Sequence, residues 1–246
     1  MTLGACVEAA CWGAAGDDDL RALLQRWAVL VPNLCTALSA LTTGADLPCP
    51  DDHDAPDVEL MRCPTRAELV DHQVGLEWRY FLDRFRRSLT TKLCLPGPKA
   101  RGITAALNEM VDNVVDHAGL GDSPVGVVAY EVSDEHFGLA VGDLGRGALA
   151  SLRENVAHAA LSTDAEALLS AVTRGASRRV GIQGKGFSDL VRALADLEGS
   201  LSFRSGSARL GIDGRGTNSR AIVPSNSPIL KGFQLSVIAR PKKSSW

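Results

Sequence analysis

Asn108-Glu109-Met110-Val111-Asp112-Asn113-Val114-Val115-Asp116-His117 is the stretch on which the reading of this chain turns. Glu109 and Asn113 stand four residues apart, a spacing that puts a carboxylate and an amide on one face of a helix. The flanking apolar residues predict that helix from about Lys99 to His117, after a turn at Leu95-Pro-Gly-Pro98. Val125 to Val132 and Phe137 to Gly142 then read as a strand pair turning at Ser133-Asp134-Glu135. Asp143 ends the second strand, within Val141-Gly-Asp-Leu-Gly-Arg-Gly147. A further glycine cluster, Gly181-Ile-Gln-Gly-Lys-Gly186, precedes a helix expected from Gly186 to Leu197.

Each piece has a plain structural reading: an amphipathic helix with a polar edge, a tight strand-to-helix turn, a flexible glycine loop. Each also has a chemical one. Asn113 offers a neutral oxygen suited to Mg²⁺, which takes few protein oxygens beside waters and phosphates. Glu109 could orient and deprotonate a water or hydroxyl attacking a γ-phosphate. An acid ending an apolar strand is half buried and needs donors, and the amino group of adenine is one. Gly145 and Gly147 let backbone approach a ligand. Gly184 and Gly186 open a helix whose free amides favour phosphate, with Lys185, Arg178 or Arg179 adding charge. The cluster is not GxGxxG and no buried strand precedes it, which disfavours a dinucleotide fold. In this order the pieces suggest a pocket for a nucleotide and its metal ion.

Working outward, Val58 to Cys63 alternates and reads as a strand. Thr65 and Glu68 resemble a capping box for a helix running to Arg87. Leu149 to Val172 reads as helical, broken at Leu161-Ser162-Thr163. Leu201 to Arg204, Arg209 to Ile212 and Phe233 to Ile238 read as strands, and Gly214 to Pro228 as a polar loop with a short apolar piece at Ala221-Ile222-Val223. Helices and hairpins thus gather around one mostly antiparallel sheet, an α+β two-layer sandwich. Residues 1–56 form a separate helical extension: Leu20, Leu23, Leu24, Trp27 and Leu30 recur at helical spacing, and a proline-rich acidic linker ends at Pro56. Residues 57–240 form the main domain, and 241–246 a frayed tail.

The bulk properties agree. At 246 residues the chain can bury a sizeable core, and its 45% hydrophobic and 22% charged residues are those of a soluble globular protein. A net charge of −3 gives no broad electrostatic case for nucleic acid. No apolar run approaches bilayer length, and the acidic N-terminus does not read as a secretory signal, so a cytoplasmic protein is expected. The six cysteines all precede residue 95 at irregular spacings, consistent with buried thiols rather than a zinc set.

The three glycine- and acid-bearing motifs resemble the N, G1 and G2 boxes of the GHKL ATPase superfamily, the histidine-kinase-like ATPases of the Bergerat fold. The likeness covers residues 57–240. It is nearest to the stand-alone bacterial anti-sigma-factor kinases, whose Glu…Asn…His pattern is similar to Glu109, Asn113 and His117, and whose lead-in is similar to Phe81 to Leu89. The resemblance implies bound Mg²⁺ and ATP, with Asn113 on the metal, Asp143 on adenine, Glu109 as base, and a lid between about Ala148 and Arg179. It implies phosphate contacts from Gly184, Lys185, Gly186 and Arg179. The chain departs from the pattern at Gln183 and Lys185 of the second glycine box. It departs again at Gly232, which Phe233 follows where a threonine is expected; Gly216-Thr217 stands earlier.

The expected activity is therefore a regulatory protein serine kinase or an ATP-dependent partner switch acting on a protein partner. An ATPase with a dimerising clamp is a second reading, which leaves a homodimer open. A histidine kinase is a third, disfavoured because neither His53 nor His72 lies in an acceptor motif. A non-catalytic nucleotide sensor is the fourth.

Overall fold

The structure, a computed structural model, describes residues 57–64, 67, 69, 72–117, 126–143, 145–174, 190, 197, 199–213, 220–223 and 229–241. The helical extension and the glycine cluster read from the sequence lie outside these residues; of the expected 186–197 helix the structure describes Leu190, which is helical, and Leu197, both buried in the core.

The described elements run β1 (Asp57–Arg62), α1 (His72–Thr91), α2 (Gly97–His117), β2 (Gly126–Val132), β3 (Phe137–Asp143), α3 (Gly147–Arg153), a 3₁₀ turn (Val156–His158), α4 (Asp164–Arg174), β4 (Ser200–Gly206), β5 (Ala208–Asp213), β6 (Arg220–Val223) and β7 (Leu230–Ala239). The strands form one sheet in the order β1-β2-β3-β7-β4-β5-β6, and every neighbouring pair is antiparallel. The α+β expectation therefore holds. One strand was not expected as such: Arg220–Val223 pairs with β5 inside the segment read as a polar loop.

Successive strand residues point to opposite faces, so directly paired residues share a face. One face carries Val128, Tyr130 and Val132 of β2, Phe137, Leu139 and Val141 of β3, and Leu235 and Val237 of β7. All are buried and belong to one core with α1 and α2. Ala129 and Ala140, on the opposite face, are buried but outside that core. The described core is thus one layer of helices on one side of one sheet.

Helix α1 supplies aromatic rings. Trp78 stacks on Phe81, Phe81 meets Tyr130 edge-on, and Phe85 lies between Tyr130 and Phe137. Burying such rings contributes about 1.5–3 kcal/mol each. α1 continues to Thr91, four residues beyond the expected Arg87. Ser88, Thr90 and Thr91, poor mid-helix residues, turn their hydroxyls back onto the carbonyls of Arg84, Arg86 and Arg87. Cys94, at φ +53, then reverses the chain. α2 begins at Gly97, with Pro98 in its first turn, where the missing amide costs no helical bond. Ile103, Ala106, Leu107, Met110, Val111 and Val114 form its buried stripe, at the spacing the sequence predicts.

The segment Ala148 to Arg174, the front of the expected lid, is built into the domain. Leu152, Ala167, Leu168 and Ala171 join the common core. A capping box starts α4: Thr163 Oγ1 accepts from the Glu166 amide at 3.2 Å, and Glu166 Oε2 accepts from the Thr163 amide at 3.2 Å and the Ser162 amide at 2.7 Å. Asp164 Oδ2 accepts from the Ser207 amide (3.0 Å) and hydroxyl (3.1 Å), pinning α4 to the β4–β5 hairpin. Gly206, at φ +56, leaves room: a Cβ there would lie 2.1 Å from Asp164 Oδ2. No described helix is long and apolar enough to cross a membrane.

Candidate functional site

The site grows from the end of β3. Along the helix side of that strand Phe137, Leu139 and Val141 are apolar, and the next residue on that side is Asp143, only 5% exposed. Burial pushes its carboxyl up to about 7, opposed by hydrogen bonds from the backbone amides of Gly145 and Phe233. The Gly145 amide donates to Oδ1 at 2.7 Å.

Asp143 is one member of a row that crosses the sheet. Gly126 faces it from β2, Phe233 faces it from β7, and Ser205 of β4 faces Phe233. All four project to the helix side. Ser205 is fully buried, donates from Oγ to the Gly232 carbonyl at 2.9 Å and accepts from the Ala148 amide at 2.8 Å. This hydroxyl ties the start of α3 to the strands that flank Asp143.

Two glycines make the knot possible. Gly232 has φ +83, and a Cβ there would stand 2.1 Å from the Asp143 carbonyl oxygen and 2.7 Å from Oδ1. Gly147 has φ +79, and a Cβ would meet Ser205 Oγ at 2.9 Å and the Gly232 carbonyl oxygen at 3.2 Å. The sequence reading assigned Gly147 to close approach of a ligand. In the structure its conformation and Ser205 already demand glycine.

Helix α2 reaches the same place. A Cβ on Gly126 would lie 2.7 Å from Val114 Cγ1 and 2.9 Å from the Gly142 carbonyl oxygen, with Cys63 Sγ at 3.1 Å. Val114 therefore seats the last turns of α2 on the strand position opposite Asp143. Asn113, its neighbour, is half-buried, and Glu109, one turn earlier, is exposed. The structure thus sets Asp143, Gly145 and Gly147 together at one end of the sheet, where the last turns of α2 are seated through Val114. Gly184, Lys185, Gly186 and Arg179 lie outside the described residues.

A second network braces α2. The Trp78 indole donates to Asn108 Oδ1 at 2.9 Å, and Asn108 Nδ2 donates to Asp112 Oδ2 at 3.0 Å. Burial raises the carboxyl of Asp112, with Glu109 and Asp116 adding repulsion and the Asn108 bond opposing. Asp112 works through Asn108 and Trp78 to fix one edge of the helix that carries Glu109.

Ser205 and the bracing role of Trp78 carry no signal in the sequence, since the first depends on strand register and the second on how two helices pack. Gly232-Phe233 was visible only as a departure from a pattern. Among the described residues no cluster of three or more His, Cys, Asp or Glu side chains could hold a metal ion. No protein-family model matches this sequence, and no curated protein matches it significantly.

Proposed function

We propose that this chain is a Mg²⁺- and ATP-binding regulatory protein of the histidine-kinase-like ATPase superfamily, on the Bergerat fold, acting as a protein serine kinase or as an ATP-dependent switch on a protein partner. The observation that carries the reading is Asp143. A carboxyl closed into an apolar column, with two backbone amides as its described partners, is costly to a fold and useful to a ligand that brings a donor. The exocyclic amino group of adenine is such a donor. Asn113 and Glu109 support it as the amide and carboxylate of α2, the helix whose Val114 seats on Gly126 opposite Asp143. Asn113 would hold Mg²⁺ and Glu109 would polarise the attacking hydroxyl; the ion, when bound, neutralises charge on the transferring phosphoryl group.

Calorimetric titration with Mg²⁺ and ATP tests the reading directly. Binding is expected for the wild type, with a loss of roughly 100-fold in Asp143→Ala, where the base loses its polar anchor. Asn113→Ala should weaken binding in Mg²⁺ far more than in EDTA. Absence of any ATP binding to the wild type would sink the proposal. With γ-labelled ATP, free phosphate that vanishes in Glu109→Ala would favour hydrolysis over transfer to a partner.

A further inference from the structure

Phe233 stands directly across from Asp143 in the β3–β7 register, so its side chain leaves the sheet on the same side and beside the carboxyl. It is half-buried, packed at the margin of the core rather than within it. Its ring centroid lies 4.4 Å from that of Phe203, at 78°, an edge-to-face contact that fixes the ring's plane. Phe203 pairs with Leu235, one layer deeper, and Phe233 pairs with Ser205 in the rim row. The two ends of that row are closed, by Val114 of α2 over Gly126 and by the start of α3 on Ser205. Between them the row holds one buried carboxyl and one partly buried aromatic ring, the ring held from beneath by Phe203.

We propose that Phe233 is the specificity residue of the site: its ring forms the apolar wall against which a planar aromatic base lies while the amino group of that base donates to Asp143. The inference rests on the nucleotide reading above and names what holds the base. A hydroxyl-bearing side chain at this position would read the base by hydrogen bonds. A phenyl ring supplies contact area and desolvates the Asp143–amine hydrogen bond, which strengthens it. Affinity then resides in ring contact, and loss of the ring is felt by the base and not by the phosphates.

The test is titration of wild type, Phe233→Leu and Phe233→Tyr with ATP, adenosine and inorganic tripolyphosphate. Phe233→Leu should weaken ATP and adenosine by the same factor, roughly tenfold, and leave tripolyphosphate unchanged. Phe233→Tyr, which keeps the ring, should stay within about threefold of wild type. Wild-type adenosine affinity in a folded Phe233→Leu protein would overturn the inference while leaving the nucleotide reading intact. No binding of ATP or adenosine to the wild type would overturn both. A readout that keeps the ring at position 233 guards against a truncated variant that fails to fold. With its six phenylalanines replaced by 4-fluorophenylalanine, adenosine should shift one ¹⁹F resonance, the one absent from Phe233→Leu. A spectrum that adenosine leaves unmoved, while calorimetry shows it bound, overturns the inference as well.

Discussion

Glu59 and Asp143 both project to the helix side of the same sheet, and the fold treats them in opposite ways. Glu59, on edge strand β1, meets Arg84 of α1 in a two-pronged ion pair and accepts from the buried Tyr130 hydroxyl. The pair holds the Arg84 guanidinium protonated above its ordinary range, while burial and the neighbouring Glu59 carboxylate push the Tyr130 hydroxyl upward. Lys92 and Asp57 repeat the arrangement at 3.0 Å nearby. Asp143, between two inner strands, is given backbone amides in place of a cation, and is far more deeply buried. Where the sheet uses an acid for architecture, it supplies the opposite charge. Where it gives an acid neutral amides alone, burial raises the proton affinity of the acid, and the ionised form weakens the fold.

The sharpest way to break this contrast is to disturb the packing around the deprived carboxyl. Gly232→Ala places a methyl against the Asp143 carbonyl oxygen in a left-handed backbone and should cost about 4 kcal/mol or more, read by urea denaturation. Stability near that of the wild type would mean the knot is not rigid.

The charge itself comes next. A carboxyl at about 7 in the fold, against about 3.9 in an unfolded chain, keeps its proton longer when folded. Its contribution to stability is complete below pH 4 and is lost as pH rises through 7. Asp143→Asn should remove that slope and exceed the wild type by about 2–4 kcal/mol at pH 8.5, while losing nucleotide affinity. Parallel pH profiles for the two proteins would refute the account of Asp143.

Ser205→Ala leaves the Gly232 carbonyl and the Ala148 amide without their hydroxyl partner, for about 1–3 kcal/mol. Its effect on ATP affinity should exceed that of Ser202→Ala, one of the opposite face. Smallest of all, Glu59→Gln should change stability by less than about 1 kcal/mol, because Arg84 is half exposed and water screens the pair. A larger loss there would erase the distinction between the two acids.

Periodicity made most of this fold legible. The buried stripe of α2, the β2–β3 hairpin and the inward residues of β4 and β7 follow spacings of 3.6 and 2 that burial enforces. Arg220–Val223 escaped because three apolar residues in a polar stretch carry no period; only pairing with β5 makes them a strand. Of the site, Asp143 was legible because an acid at the end of an apolar strand is unusual in one dimension. Ser205 and Gly232 were not, because their meaning lies in which strands become neighbours. The helical character of 149–172 was readable, but not that Asp164 would fasten it to a hairpin more than forty residues away.

The register between β3 and β7 also sets a schedule. Asp143 and Phe233 are about 90 residues apart in the chain, and β7 enters the sheet between β3 and β4, which precede it. During synthesis the helices α1 and α2 and the β2–β3 hairpin can form first, with one side of Asp143 uncovered. The carboxyl acquires its second amide and its aromatic neighbour only when β7 threads into place. The surroundings of Asp143 are therefore among the last parts of the described sheet to be completed, and a nascent chain carries this carboxyl half-covered until β7 has been made.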